Sequence, residues 1–232
     1  MGSIAGHKVV VACLPGRTGT NSAAAVATRT QAKSKEIRFG LIVGTEGGVP
    51  SEHTDNRLGD VVQYDVGKTT PTEVIQTGSL DSPPQVLISA AISLESDILL
   101  GEETLLTRLS KISHIRRFQR RKPGPEILHK ADCDHESGKR ARIIALTERD
   151  DISNKLGDVF RFEMEAVGIT NNFPCLVVSG ICDYADSHNN DRCHAYGAAT
   201  AAAYAKELSS KIRTADVTTT RRADEAMGGR RD

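Results

Sequence analysis

The stretch DVFRFEMEAVGITNNFPCLVVSGICDYAD, residues 158–186, decides the fold. Its centre is an unbroken apolar run from Pro174 to Ile181, which ends abruptly on Asp183 and Asp186. A run apolar on both faces belongs to a strand covered from both sides, as in the parallel sheet of an α/β protein. Upstream, a short strand candidate leads to Glu163 and Glu165 on either side of Met164, where the chain turns into a helix. Open α/β sheets bind ligands beyond the C-terminal ends of their strands. The stretch therefore sets a pair of glutamates and an aspartate at the mouths of two strands.

The N-terminal half extends the same pattern. Val9–Leu14 (VVVACL) reads as a buried strand, so the chain is expected to start inside the core. Gly16, Thr18 and Gly19 form a tight turn, and Thr20 or Asn21 caps an alanine-rich helix through Ser22–Thr30. Ile37–Val43 is the next strand and runs directly into Gly44-Thr45-Glu46-Gly47-Gly48. In isolation such glycines are a sharp turn. After a buried strand they also let backbone approach a ligand, and their N–H groups can form an anion-binding nest.

Leu58–Tyr64 reads as a further strand, and Pro71, Gly78, Pro83 and Pro84 punctuate a long connection. Val86–Leu100 has an amphipathic helical pattern, and 102–112 continue as a second helix. Residues 113–142 show no sustained period and read as an irregular insertion or loop. Arg116, Arg117, Arg120, Arg121 and Lys122 within it are a solvated surface in a neutral protein, not a nucleic-acid footprint. Asp132, Cys133, Asp134 and His135 are contiguous, and adjacent residues rarely converge on an ion without distant ligands, so no metal is expected. Thr147–Leu156 and Ala195–Ile212 read as helices. The polar tail 213–232 lacks periodicity and reads as disordered.

With 232 residues, one sizeable α/β domain over 1–212 accounts for the chain. Formal net charge is zero, which removes the whole-chain attraction expected of a nucleic-acid or anionic-membrane binder. Five scattered cysteines signal neither a disulfide framework nor a zinc site, and fit a reducing interior. No apolar run approaches the ~20 residues that span a bilayer. A soluble, cytoplasmic protein is expected.

Several motifs, in order, resemble the nucleoside phosphorylase/nucleosidase superfamily, closest to a fungal branch often fused to ankyrin or NACHT-type modules. They are the strand, glycine turn and alanine-rich helix of 9–30, LIVGTEGG (41–48), RLGDVV (57–62), FEMEA (162–166), and GICDYADSH (180–188) leading to AYAKEL (203–208). The resemblance implies a three-layer α/β/α fold with a central twisted mixed sheet, phosphorylase/hydrolase-like, and cleavage of a purine nucleoside between ribose and base by phosphate or water. By resemblance, Glu165 holds the ribose hydroxyls, Met164 packs on the sugar and Glu163 adds a contact. Asp183 protonates the departing purine, Thr45 binds the nucleophile, and Gly44, Gly47 and Gly48 line the loop. Without the combined motifs, Glu165 reads as a helix N-terminal acid, and Asp183 and Asp186 as turn and capping residues. No cofactor is implied beyond inorganic phosphate as a co-substrate; the partner is a small-molecule nucleoside, and the assembly a homo-oligomer.

The pattern also departs from that family. A first strand and glycine loop are absent ahead of residue 9, the match jumps from RLGDVV to QYDVGKT, and only KRARIIAL (139–146) precedes TERDDISNKL. Ser179 stands where fungal relatives commonly have arginine. An incomplete copy of the fold is therefore expected, and the alternative function is an impaired nucleoside-binding or oligomerisation module.

Overall fold

A computed structural model describes residues 2–14, 20–48, 57–63, 83–102, 104–120, 161–162, 169–170, 173–184 and 191–228. Its order is β1 (Gly2–Ile4), β2 (His7–Val9), α1 (Thr20–Lys33), β3 (Gly40–Gly48), β4 (Val61–Gln63), α2 (Gln85–Leu99) and α3 (Thr104–Ser110). There follow a 3-10 turn (Arg116–Phe118), β5 (Arg161–Phe162), β6 (Cys175–Asp183), α4 (Asp191–Lys211), α5 (Thr214–Thr219) and α6 (Ala223–Gly228).

The apolar run becomes β6, buried along Cys175–Cys182, as a doubly covered strand must be. It pairs in parallel with β3 from Gly40↔Cys175 to Gly47↔Asp183, with a register shift between Glu46 and Gly47. Among the described residues the sheet order is β4-β6-β3-β5, with β4 and β5 antiparallel to their neighbours. The sheet is thus mixed, as the fold class requires.

Alternation along the two strands sorts the core into two faces. Leu41, Leu176 and Val178 pack with Leu87, Ala90, Ala91 and Leu94 of α2 and Ala201, Tyr204 and Leu208 of α4. On the opposite face Cys175 and Ile42 join Ala23 and Ala27 of α1. Each fully buried Leu or Val stabilises the fold by about 1.5–3 kcal/mol, and helices on both faces complete three layers. Ion pairs hold α2 and α3 against α4: Lys211 with Asp97, and Arg108 with the buried Glu207.

Three expectations change. Residues 9–14 are not a buried strand: β2 ends at Val9, and Val10 and Val11 are exposed. The amino terminus instead forms a hairpin with β1, turning at Ala5 and Gly6, both at positive φ, as a two-residue hairpin turn favours. A side-chain bond from His7 Nε2 to the Ile212 carbonyl, 2.9 Å, ties it to the end of α4. Only Val9 of the apolar run is in this hairpin, and the hairpin lies outside the main sheet. The tail from Arg213 carries α5 and α6 rather than disorder, with Ala223 buried and its N–H donating to the Ile37 carbonyl at 2.8 Å. The buried Ala223, Val217 against the core, the Arg38 bond to the Thr220 carbonyl and the Arg222–Glu36 ion pair dock it, too few apolar contacts to leave a hydrophobic period to read. The strand expected at Ile37–Val43 sits later, at Gly40–Gly48, so the glycine segment is its C-terminal half and not a loop beyond it. Residues 121–160, and with them most of the 113–142 insertion, Arg121, Lys122, the Asp132–His135 cluster and the whole expected 147–156 helix, lie outside the described residues.

The tightest contact in the fold joins β6 to α4. A Cβ on Gly180 would lie 2.0 Å from the Gly197 carbonyl oxygen, whereas one on Gly197 would meet the Gly180 oxygen at 3.2 Å. The first demands that helix and strand separate; the second demands a shift of a few tenths of an ångström. Gly180→Ala is expected to lower the stability by about 1–3 kcal/mol or more, and Gly197→Ala by clearly less, as read from paired urea unfolding curves.

Candidate functional site

The parallel pairing of β3 and β6 brings both C-terminal ends to one edge of the sheet. Thr45 lies opposite Gly180, and Gly47 opposite Asp183. Beside them β5 pairs antiparallel with the glycine end of β3, Phe162 opposite Gly47. The LIVGTEGG, FEMEA and GICDYAD motifs, far apart in sequence, therefore meet at one strand mouth through Thr45, Phe162 and Asp183. Glu163, Met164, Glu165 and Asp186 lie outside the described residues.

The glycines of β3 divide by role. A Cβ on Gly48 would meet Ile181 at 2.9 Å, so packing accounts for that glycine. At Gly44 a Cβ would meet nothing within 4 Å; its small size leaves space above the strand that packing does not explain. Gly47 sits at the register shift, where a bulge turns the strand end.

Gly59 of RLGDVV holds the neighbouring wall. Its φ of 95° favours glycine, and a Cβ there would strike the Tyr196 ring at 2.4 Å. Its N–H donates to the Ile181 carbonyl at 2.8 Å, and the Ile181 N–H donates to the Asp60 carbonyl at 2.9 Å. This loop pins β6 just before Asp183.

Asp183 has company that the sequence reading did not assign. Cys182 Sγ lies 3.5 Å from Asp183 Oδ2, 3.4 Å from the Glu46 carbonyl oxygen and 3.9 Å from His194 Nε2. His194 Nε2 is also 3.9 Å from Asp183 Oδ2. The Thr45 hydroxyl hydrogen-bonds the Cys182 sulfur, so two expected site residues, Thr45 and Asp183, both touch a third. Burial, and then the Asp183 carboxylate, push the Cys182 thiol well above its ordinary range, while the Thr45 bond opposes the rise. Cys182 is thus a neutral thiol in the unliganded site.

Cys182, His194 and Glu46 are the residues that sequence reasoning missed. Cys182 read as one more apolar residue of the buried run. His194 stood in a stretch taken as a polar loop, whereas α4 already begins at Asp191. For Glu46 a signal existed: an acid between an apolar strand and two glycines, here only 4% exposed at the strand mouth. Among the described residues no helix is long and apolar enough to cross a membrane.

Burial sets a labelling pattern for the thiols. Cys13 is exposed, whereas Cys175, Cys182 and Cys193 are buried. Mass-resolved alkylation of the native protein at neutral pH is expected to modify Cys13 within minutes and to leave Cys182 unmodified until denaturant is added, because the thiolate is the reactive form.

No family model matches the chain. It is 36% identical over 249 residues to a nucleotide-binding leucine-rich repeat (NLR)-like protein of Hyaloscypha variabilis, a match that covers 90% of this chain and 25% of that protein. The chain spans only a quarter of that relative's length. The matched region, at 249 positions, is longer than the 232 residues of the whole chain, so the relative carries residues there that this chain lacks. Among solved structures, the fold is similar to a 5′-methylthioadenosine/S-adenosylhomocysteine nucleosidase of S. pneumoniae, with a TM-score of 0.54, 15% identity, and coverage of 91% of this chain and 85% of that one. The nucleosidase of Colwellia psychrerythraea, solved with adenine, gives a TM-score of 0.53 at 12% identity, over 84% of this chain and 75% of that one.

Proposed function

From the nucleoside phosphorylase/nucleosidase fold that this chain has, we propose that it hydrolyses the N-glycosidic bond of a purine nucleoside. The observation that carries the reading is the convergence of Thr45 and Asp183 on one strand mouth, both in contact with Cys182.

The chemistry needs few groups. As the bond between C1′ and the base nitrogen breaks, its electron pair goes to the base, and the sugar gathers positive charge as an oxocarbenium-like species. Asp183, as a carboxylic acid, gives its proton to the imidazole edge of the leaving purine. Thr45 orients the water that attacks C1′; that water loses a proton, and free ribose and base result. Glu165 holds the ribose hydroxyls and favours the developing positive charge, with Met164 against the sugar and Glu163 beside it. Gly44 and Gly47 keep the strand end small enough for the ligand to approach, and Gly48 packs it against Ile181. Water is favoured over phosphate because the similar solved structures of S. pneumoniae and Colwellia psychrerythraea are nucleosidases. No cofactor enters this scheme. Self-association belongs to the same reading: Leu99, Leu100 and Leu106 leave apolar surface around the α2–α3 junction.

One observation favours a second reading, an impaired nucleoside-binding module: the relative contains residues within the matched region that this chain lacks. Incubation with adenosine, inosine and 5′-methylthioadenosine, with and without phosphate, separates the two. Hydrolysis predicts free base and unphosphorylated sugar irrespective of phosphate, and a loss of roughly 10²–10⁴-fold in base release for Asp183→Asn with an unchanged circular dichroism spectrum. Ribose 1-phosphate would make the enzyme a phosphorylase. Nucleoside binding by calorimetry without any base release would establish the second reading, and full activity in Asp183→Asn would remove Asp183 from the mechanism.

A further inference from the structure

Cys182, Asp183 and His194 bring a sulfur, a carboxylate oxygen and an imidazole nitrogen into one cluster. All three ligand atoms lie within 4.8 Å of one another. The separations are 3.5 Å from Sγ to Oδ2, 3.9 Å from Sγ to Nε2, and 3.9 Å from Oδ2 to Nε2. A triangle of those sides has a centre about 2.2 Å from each corner, within the roughly 2.0–2.3 Å range of zinc–sulfur, zinc–nitrogen and zinc–oxygen bonds.

From this geometry we propose that Cys182, Asp183 and His194 form a binding site for a borderline-soft divalent cation of the zinc class. A thiolate selects against magnesium and calcium, which take oxygen ligands, and the mixed sulfur, nitrogen and oxygen set suits zinc or cobalt. Three protein ligands would leave the fourth position of a tetrahedral zinc for water or an incoming ligand. As it enters, the sulfur–metal bond forms and the Cys182 proton leaves to solvent.

The framework that holds the three ligands is rigid. Cys182 and Asp183 end the buried strand β6, and His194 stands in the first turn of α4, which the Gly180–Gly197 contact locks against that strand. Sequence spacing conceals the site, because two ligands are adjacent and the third comes from another element.

Metal binding does not depend on the nucleosidase reading, but its consequence does. A carboxylate that holds the ion has no proton to give to a leaving base, so the loaded site is the silent form of the proposed enzyme, and zinc is an inhibitor.

Cobalt(II) is the probe, added to the full chain freed of metal by chelator. The expected result is one equivalent bound, with a near-ultraviolet thiolate-to-cobalt charge-transfer band that zinc abolishes by displacement. The band should vanish in Cys182→Ser, and apparent affinity should fall at least 10-fold in His194→Ala. Because Cys182 is buried, its variant can fail to fold; His194, 41% exposed in its side chain, supplies the variant that retains the fold, as checked by circular dichroism. A folded wild type without the band overturns the proposal, as does a band whose affinity is unchanged in His194→Ala. The readout is spectroscopic, so its failure is distinguishable from an absence of base release.

Discussion

The parallel pairing of β3 with β6 is the constraint on which the rest depends. Parallel strands cannot be joined by a tight turn, so more than a hundred residues of chain lie between these two neighbours. Both faces of the pair must then be covered. Leu41, Leu176 and Val178 take α2 and α4 on one side, and Ile42 and Cys175 take α1 on the other. Since the strands run the same way, their C-terminal ends, and the polar residues that terminate them, arrive at one edge. In an antiparallel pair, Thr45 and Asp183 would lie at opposite ends of the sheet.

Close backbone approach tightens that arrangement. Gly180 and Gly197 let α4 sit directly on β6, and this places His194 within reach of Cys182 and Asp183. The RLGDVV loop adds a second clamp through the paired backbone bonds of Gly59 and Asp60 with Ile181. A thiol buried beside a carboxylate stays protonated, which keeps the strand mouth quiet until a proton acceptor, a ligand or an ion alters the local charge. The proposed proton-transfer site and the proposed cation site share Asp183, and the two uses exclude each other because both need its carboxyl.

The similarity to an NLR-like protein covers 90% of this chain and a quarter of that protein. The matched region of that relative is longer than this chain, so it carries residues there that this chain lacks. Among the described residues the core is built on the β3–β6 pair with helices on both faces.

Much was legible in the residues alone. The length and double-sided apolarity of 174–181 determined a buried parallel strand, and the aspartate after Ile181-Cys182 marked its end, because local pattern records burial directly. Helices at 85–99 and 191–211 were readable for the same reason, to within a few residues at their starts. Val9–Leu14 misled because an apolar run reports a wish for burial and not the partner that grants it; the hairpin with Gly2–Ile4 left Val11 in solvent. The docking of 214–228 was invisible because so few apolar contacts make no period. Only the tertiary structure decided that Thr45, Cys182, Asp183 and His194 share one site. Their convergence comes from the register of two strands and from a glycine-to-glycine contact between strand and helix, and neither is a property of any single stretch of chain.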